Sequence, residues 1–492
     1  MTSATPRPTF RDPAGSLRLE DDQAIRTIHP AAREEVLAFL ASPFCHQLQQ
    51  RGDLIAASIE HEPADHGDGP DSVGSADALR LLHPRVFLPT YPWEWTASQW
   101  LAAAELTLTL GEEALGHGWI LKDATPHNIL FIGARPVLVD ILSFERRDPT
   151  SSVWLAYAQY IRTFLLPLLM NKLLHWPLAL SLFKRDGLEP LELYRSLSWP
   201  QRLSPAAFFP VTLPAWLERR QEGKTQRNPH AMQGTAALAT DTPTLAPPGP
   251  PKEPELTLHL LKRTLQSLRK RTRAAVSRAA TSEWSEYTGS LTHYTAAQVA
   301  EKNSWLNQVL GELRPARVLD VGANTGEYSI LAASHGAEVV ALERDEAAAD
   351  RLFKMSVQKA AQGLSIQTIH ADLARPTPAV GWDNDESSAL LPRLESRFDL
   401  VLMLAVIHHL LLLEQIPLDD ILALCHRLTT RHLVVEWVPA SDPMYQSLMR
   451  GRDALYGHIN EDRLLAACTG RFETRRRLTL DNGRILLLFE KI

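Results

Sequence analysis

Cysteine is scarce. Cys45, Cys425 and Cys468 are the three in 492 residues, far apart, with no Cys-x-x-Cys pair and no Cys/His ligand spacing. That excludes a disulfide scaffold and a zinc framework; reduced thiols in a cytoplasmic protein fit better, and no metal site is expected. Long apolar runs are also missing. The most membrane-like stretch, 163–183, is interrupted by Asn171, Lys172 and His175. Its unbroken part, Phe164–Met170, is far short of the ~20 residues a membrane span needs, so a buried helix is expected there. The N-terminal residues lack the apolar core of a secretory signal, which again points to the cytoplasm. Charge bias is weak: 51 basic against 57 acidic residues give −6. This argues against a chain that coats nucleic acid, which is not the expected partner. Hydrophobic residues at 45% and charged residues at 22% exclude disorder throughout.

The length suggests about three units at roughly 150 residues each. Residues 222–254 carry seven prolines, including the run Pro-Pro-Gly-Pro-Pro at 247–251, and few large apolar side chains. Such a stretch cannot offset its ordering entropy by burial and reads as a flexible, partly polyproline linker. The chain therefore divides into 1–221, a linker 222–254, and 255–492. Residues 61–77, polar and rich in Gly and Asp, read as a long loop inside the first unit.

The second unit alternates apolar strand signals, at 317–321, 338–343, 364–370, 398–404 and 432–438, with helical segments. Alternation of this kind predicts an α/β fold with a parallel sheet covered on both faces. Segments 471–479 and 484–490 flank Asp481-Asn482-Gly483, a tight-hairpin signal, so the sheet should finish in an antiparallel hairpin. The sharpest motif runs from Val318 to Ser329: a strand ending at Asp320, then Gly322-Ala323-Asn324-Thr325-Gly326, then a helix. The spacing is Gly-x-x-x-Gly, not the Gly-x-Gly-x-x-Gly that seats a pyrophosphate. Asp320 suits a ligand bearing an ammonium group better than a diphosphate. Glu343 ends the next strand 23 residues later, where a carboxylate can grip a ribose diol, and Asp372 ends the third.

This succession resembles the class I S-adenosylmethionine-dependent methyltransferases, a Rossmann-like family, from about residue 284 to the end. The resemblance implies that Asp320, Gly322, Ala323, Asn324 and Gly326 line the methionine moiety of S-adenosyl-L-methionine, Glu343 its ribose, and Asp372 with Leu373 its adenine. Trp284–Tyr287, His293-Tyr294, Gly381-Trp382, Ile407-His408-His409 and Glu436–Pro439 are similar to a bacterial subgroup of NoeA-like nodulation methyltransferases. The implied activity is methyl transfer to an unidentified acceptor, at oxygen or nitrogen. No Asn/Asp-Pro-Pro-Tyr run follows strand four, which disfavours methylation of DNA amino groups. His408 is a candidate base because histidine titrates near neutrality; the alternative is a residue that shapes the pocket. Glu436 is a second candidate base or substrate anchor, or else a hydrogen-bonded carboxylate. Residues 383–386, Asp-Asn-Asp-Glu, read as a solvated loop in preference to a metal site.

The first unit holds Lys122-Asp123, Asn128 five residues after the aspartate, and Asp140 at the end of an apolar strand 12 residues further on. Over roughly 90–220 this resembles the aminoglycoside phosphotransferase and protein kinase superfamily, an α+β fold. The resemblance implies Asp123 as base, with Asn128 and Asp140 on magnesium. No glycine-rich loop precedes the motif and no Val-Ala-Ile-Lys strand is present; Arg26, with Glu34 or Glu35, is the nearest substitute. A degenerate kinase-like domain that docks a substrate or partner is the expectation. Tyr91–Trp95 and Trp100 form an aromatic cluster, read as domain core or hinge rather than a sugar platform. Residues 255–280 read as an amphipathic helix with seven basic residues against Glu255, +6 locally. It suits contact with phosphate or an anionic surface, or a solvated face of a helix packed beside the methyltransferase domain. Two readings compete with the enzyme: a non-catalytic scaffold that keeps the adenosylmethionine fold, and a phosphotransferase acting through Asp123 and Asp140.

Overall fold

The computed structural model describes residues 12–20, 22–60, 79–225, 253–276 and 294–492. The expected loop 61–77, linker positions 226–252, Arg278, Trp284–Tyr287 and His293 lie outside the described residues.

The N-terminal unit opens with a small antiparallel sheet. Its strands are β1 (Gly15–Leu19), β2 (Gln23–Ile28), β3 (Ser58–Ile59) and β4 (Leu79–Pro84), in the order β1-β2-β4-β3. Two helices, Pro30–Leu40 and Pro43–Arg51, cross between β2 and β3. Two short antiparallel pairs follow, β5 (Trp119–Leu121) with β8 (Phe144–Arg146) and β6 (Ile129–Ile132) with β7 (Arg135–Leu138). The remainder is helical around a core of Phe39, Phe44, Trp95, Trp100, Phe131 and Phe164. Phe164–Met170 is buried as expected, but the helix stops at Leu174, where His175 turns left-handed (φ 55°). Leu178–Phe183 is a separate 3-10 turn whose Phe183 is exposed. Among the described residues no helix is long and apolar enough to cross a membrane.

The helix Pro254–Ala275 corrects one expected boundary. Leu261, Leu265 and Leu268 enter the N-terminal core, not that of the second unit. Arg269 pairs with Glu105 and Glu112, and Arg273 with Glu105, all on the long helix Ala97–Gly116. The leucine stripe and the matching acidic face on Ala97–Gly116 draw the helix across the proline-rich stretch. Part of the predicted basic face is therefore neutralised within the molecule.

The second unit contains a seven-stranded sheet. Its strands are β9 (Arg317–Val321), β10 (Glu338–Glu343), β11 (Ile366–His370), β12 (Phe398–Leu404), β13 (Thr429–Trp437), β14 (Phe472–Thr479) and β15 (Ile485–Lys491). The order is β11-β10-β9-β12-β13-β15-β14. The first five run parallel, and β15 is antiparallel to both neighbours. Gly483 takes φ 80° in the turn into β15, as the Asp-Asn-Gly signal predicts. The central strands are buried along their length, Val and Leu facing helices on both sides. Their carboxyl ends gather along one edge of the sheet, with β9 between β10 and β12.

The two units are clamped together through residues 87–100. Glu94 is fully buried and receives both Nη atoms of buried Arg393 from the second unit, Nη1 at 3.1 Å. Thr377 donates to the same carboxylate. Gln99 closes the N-terminal cap of Ala97–Gly116 with Thr96 and donates from Nε2 to the Thr368 carbonyl at 3.1 Å. Gln367 donates to the Leu88 carbonyl (2.8 Å), and Asp350 accepts from the Ser98 amide (2.9 Å). The Tyr91–Trp95 cluster thus belongs in part to the core, through Trp95, while its glutamate is the centre of an interface between units.

Candidate active site

Asp320, Glu343 and Asp372, picked out at the ends of the first three strands of this sheet, all reach one cavity of about 210 Å³ at its carboxyl edge. Asp320, Gly322, Ala323, Asn324, Glu343, Asp372, Leu373 and His408 line it. Adjacent register brings this about: Asp320 lies opposite Ala341 of β10 and Leu402 of β12, and Glu343 opposite His370 of β11. Asp320 is buried and accepts from Ser329 Oγ at 2.6 Å. Burial pushes its carboxyl up to about 7, against the pull of the Ser329 bond, with the Glu343 charge adding to the rise. Glu343 accepts the Asn324 amide (2.8 Å) and the Asp345 amide (2.7 Å), which fixes its carboxylate across the glycine turn. Burial raises its pKa as well. Asp372 accepts from the Ala374 amide (2.9 Å) and from Arg375 (3.1 Å).

The turn itself is shaped for a close ligand. Gly322 has φ 68°, and a Cβ there would lie 2.7 Å from Val406 Cγ2. Asn324 takes φ 50°, a conformation its short polar side chain tolerates. Its Oδ1 is buried with no hydrogen-bond partner among the described residues. Ala405, just after β12, is left-handed at φ 56°, strain of the kind that gathers at functional sites. Gly326 is the exception among the expected ligands. It does not line the cavity; its α-carbon faces Leu352 and Met355, where a Cβ would come within 2.5 Å of each, so it is a packing glycine.

His408 and His409 sit at the start of the helix Ile407–Leu412 with ring centroids 4.2 Å apart. Burial, with His409 and Arg484 nearby, drives the His408 pKa well below 6.5. Its Nδ1 has no partner among the described residues. Glu436 behaves differently. It stands behind the cavity wall, fully buried, receiving Lys302 Nζ (2.6 Å), the Tyr294 hydroxyl and, more distantly, Arg484 Nη1 (3.5 Å). Burial alone would raise its pKa, but Lys302 and Arg484 hold it below the usual value. Arg484 also donates to Asp442 at 2.8 Å and to the Tyr294 oxygen at 2.6 Å. Lys302 lies over the ring of Tyr328, 4.4 Å from its centroid. The cavity faces of Tyr294, Lys302, Tyr328 and Arg484 form the wall on this side. Lys302 and Arg484 carried no motif in the sequence. Lys302 could have been found as the one cation on the face Gln298, Trp305, Leu306 and Val309, all buried in Ala296–Leu313.

Residues 291–462 match the sequence family described as a methyltransferase domain. The nodulation protein NoeA of Rhizobium meliloti (strain 1021) is 28% identical over 502 residues, covering 100% of this chain and 98% of the relative. A magnesium protoporphyrin IX methyltransferase from Synechocystis PCC 6803, solved with bound SAH, aligns over 40% of this chain and 84% of its own. Its identity is 18% and its TM-score 0.29. The N-methyltransferase NodS from Bradyrhizobium japonicum WM9 covers 40% of this chain and 97% of its own, at 14% identity and TM-score 0.29.

The second unit is an S-adenosylmethionine-dependent methyltransferase domain.

The cavity fits that cofactor: a cation-seeking carboxyl in Asp320, an unsatisfied acceptor in Asn324 Oδ1, and a turn that admits no Cβ at residue 322.

The acidic constellation of the N-terminal unit is brought together too, but it is closed. Asp140 Oδ1 lies 3.0 Å from Arg26 Nη1, and Oδ2 accepts from Ser143 Oγ (2.8 Å) and Asn128 Nδ2 (3.4 Å). Arg26 is buried and pairs with this aspartate, though its Nε and Nη1 make no aligned hydrogen bond among the described residues. Glu35 caps the Arg146 amide at 2.8 Å instead of meeting Arg26. Asp123 has its pKa raised by burial and by the Asp140 charge. Residues 383–386 form no metal-ligating group, nor does any other cluster among the described residues.

Proposed function

We propose that this chain methylates an oxygen or nitrogen acceptor, with His408 as the proton-accepting base. The observation that carries the reading is the cavity wall shared by the donor-side acids and a buried, neutral imidazole whose Nδ1 lacks a partner. S-adenosylmethionine, when bound, supplies the electrophilic methyl group. Asp320 and the Asn324 Oδ1 take the ammonium end, Gly322 lies against the methionine, Glu343 takes the ribose hydroxyls, and Asp372 with Leu373 the adenine. His408, kept uncharged by burial, accepts the acceptor's proton. Glu436 acts as a positioning residue: its charge is spent on Lys302, Tyr294 and Arg484, which hold the acceptor wall in shape. The cytoplasm is the proposed compartment.

The N-terminal unit, joined by helix 254–275, is proposed as a degenerate kinase-like scaffold that docks on the methyltransferase domain. The Arg26–Asp140 pair supports this over phosphoryl transfer, because a guanidinium already neutralises the carboxylate that would hold magnesium. Transfer of labelled methyl groups to fractionated cell extract tests the catalytic reading. Wild type should label an acceptor and folded Asp320→Ala should not; undiminished transfer by Asp320→Ala would overturn it.

A further inference from the structure

The N-terminal unit ends in a continuous helical run from Pro205 to Thr225, with a wide turn at Phe208–Thr212. One side carries Ala207, Val211 and Ala215 into the protein, as an amphipathic helix should. The other side inverts the rule. Phe209, Leu213, Trp216 and Leu217 follow at spacings of four, three and one, and all are exposed: 55% for Phe209, 46% for Trp216 and 49% for Leu217. Helix Trp199–Arg202 packs beside the wide turn, where Thr212 Oγ1 donates to the Arg202 carbonyl (2.7 Å). It adds Trp199 and Leu203, exposed at 69% and 60%. Solvent does not favour such a face, and an apolar patch of this kind marks a contact surface.

Its rim states what kind of surface it meets. Arg220 stacks over Trp216 (3.6 Å to the centroid), Arg271 over Phe209 (5.0 Å) and Arg202 over Trp199 (6.0 Å). Exposed Arg219 stands alongside. Between 195 and 220 there are four arginines against Glu218, a local charge of +3. Tryptophan and phenylalanine with arginines at their edges match a lipid interface, where rings enter the headgroup layer and guanidiniums meet phosphates. The chain following this helix, 226–252, contains Leu238, Leu245 and Met232 as its only large apolar residues.

We propose that the face formed by Trp199, Leu203, Phe209, Leu213, Trp216 and Leu217 seats this protein on an anionic membrane surface. The inference stands on these exposed residues and does not depend on the methyl acceptor. It moves the expected anionic contact from helix 254–275 alone to the edge where Arg271 meets Phe209. The test is co-flotation of the full-length chain with vesicles of phosphatidylcholine alone or of equal parts phosphatidylcholine and phosphatidylglycerol. The expected result is flotation with the anionic vesicles, at least tenfold weaker with phosphatidylcholine alone. Phe209→Ser with Trp216→Ser should lose the lipid-bound fraction while keeping the wild-type thermal midpoint and S-adenosylmethionine affinity. Arg220→Glu with Arg271→Glu should weaken flotation tenfold or more, with folding unchanged. Flotation with neither vesicle, or equally with both, overturns the proposal. So does a concentration-dependent dimer that the Phe209→Ser/Trp216→Ser variant dissolves, which would assign the face to a second copy of the chain.

Discussion

Two clusters of acidic residues, one in each unit, differ in what they leave unsatisfied. Around Asp320 and Glu343 the protein holds carboxyls out of water without a fixed cation, and the Asp320 carboxyl rises to about 7 as a result. In the N-terminal unit Asp140 meets Arg26, Ser143 and Asn128, so the aspartate most suited to a metal is already paired. A site that needs its ligand to complete its electrostatics is a binding site; one that completes them internally is a structural element. The pairing of residues, not their identity, separates the two.

The largest effect is expected at the base. His408→Gln should lower kcat by about 10²–10⁴-fold, the range of general-base contributions, with S-adenosylmethionine affinity unchanged. In wild type the imidazole is neutral throughout, so kcat should not fall between pH 8 and 6.5. A histidine that only shapes the pocket would give a small kcat effect with an altered acceptor KM.

The clamp between the units comes next. Glu94→Ala leaves Arg393 buried without its partner, which should cost about 3–5 kcal/mol in denaturant unfolding. Wild-type stability in this variant would make the interface incidental and the scaffold reading untenable.

A pH effect should separate the clusters further. The folded pKa of Asp320 lies above its ordinary value, so the stabilisation it gives the ligand-free protein is present in acid and lost as pH rises through about 7. A ligand ammonium favours the ionised form and reverses the preference. S-adenosylmethionine should therefore bind about tenfold more tightly at pH 8 than at pH 6, following the ionised fraction, and Asp320→Asn should flatten that dependence. The smallest effect is predicted on the other side. Asp140→Ala should leave S-adenosylmethionine affinity unchanged, because the N-terminal cluster contributes nothing to the cavity; a shift there would couple the sites.

Much of the second unit was legible in the sequence because strand ends carry both the pattern and the chemistry. The apolar runs ending in Asp320, Glu343 and Asp372 gave the sheet to within a few residues, and the sheet brings those carboxylates to one edge. Gly326 was harder, since a glycine that admits a ligand and one that admits Leu352 and Met355 have the same local sequence. Lys302 comes from the helix Ala296–Leu313, Glu436 from β13 and Arg484 from the turn just before β15, and the reversed β15 beside β13 is what brings Arg484 to Glu436. Helix 254–275 was assigned to the wrong neighbour because amphipathicity states that a face is buried, not against what. Glu94 likewise gave no sign of its partner 299 residues away.

The most direct test is calorimetric titration of the full-length chain with S-adenosylmethionine, then with magnesium and ATP, in wild type and Glu343→Ala. The account predicts micromolar binding of S-adenosylmethionine, weakened tenfold or more in the variant, about 1.4 kcal/mol, and no heat from magnesium and ATP. Folded wild-type protein that binds no S-adenosylmethionine, or that binds magnesium and ATP in a manner lost in Asp140→Ala, would contradict it.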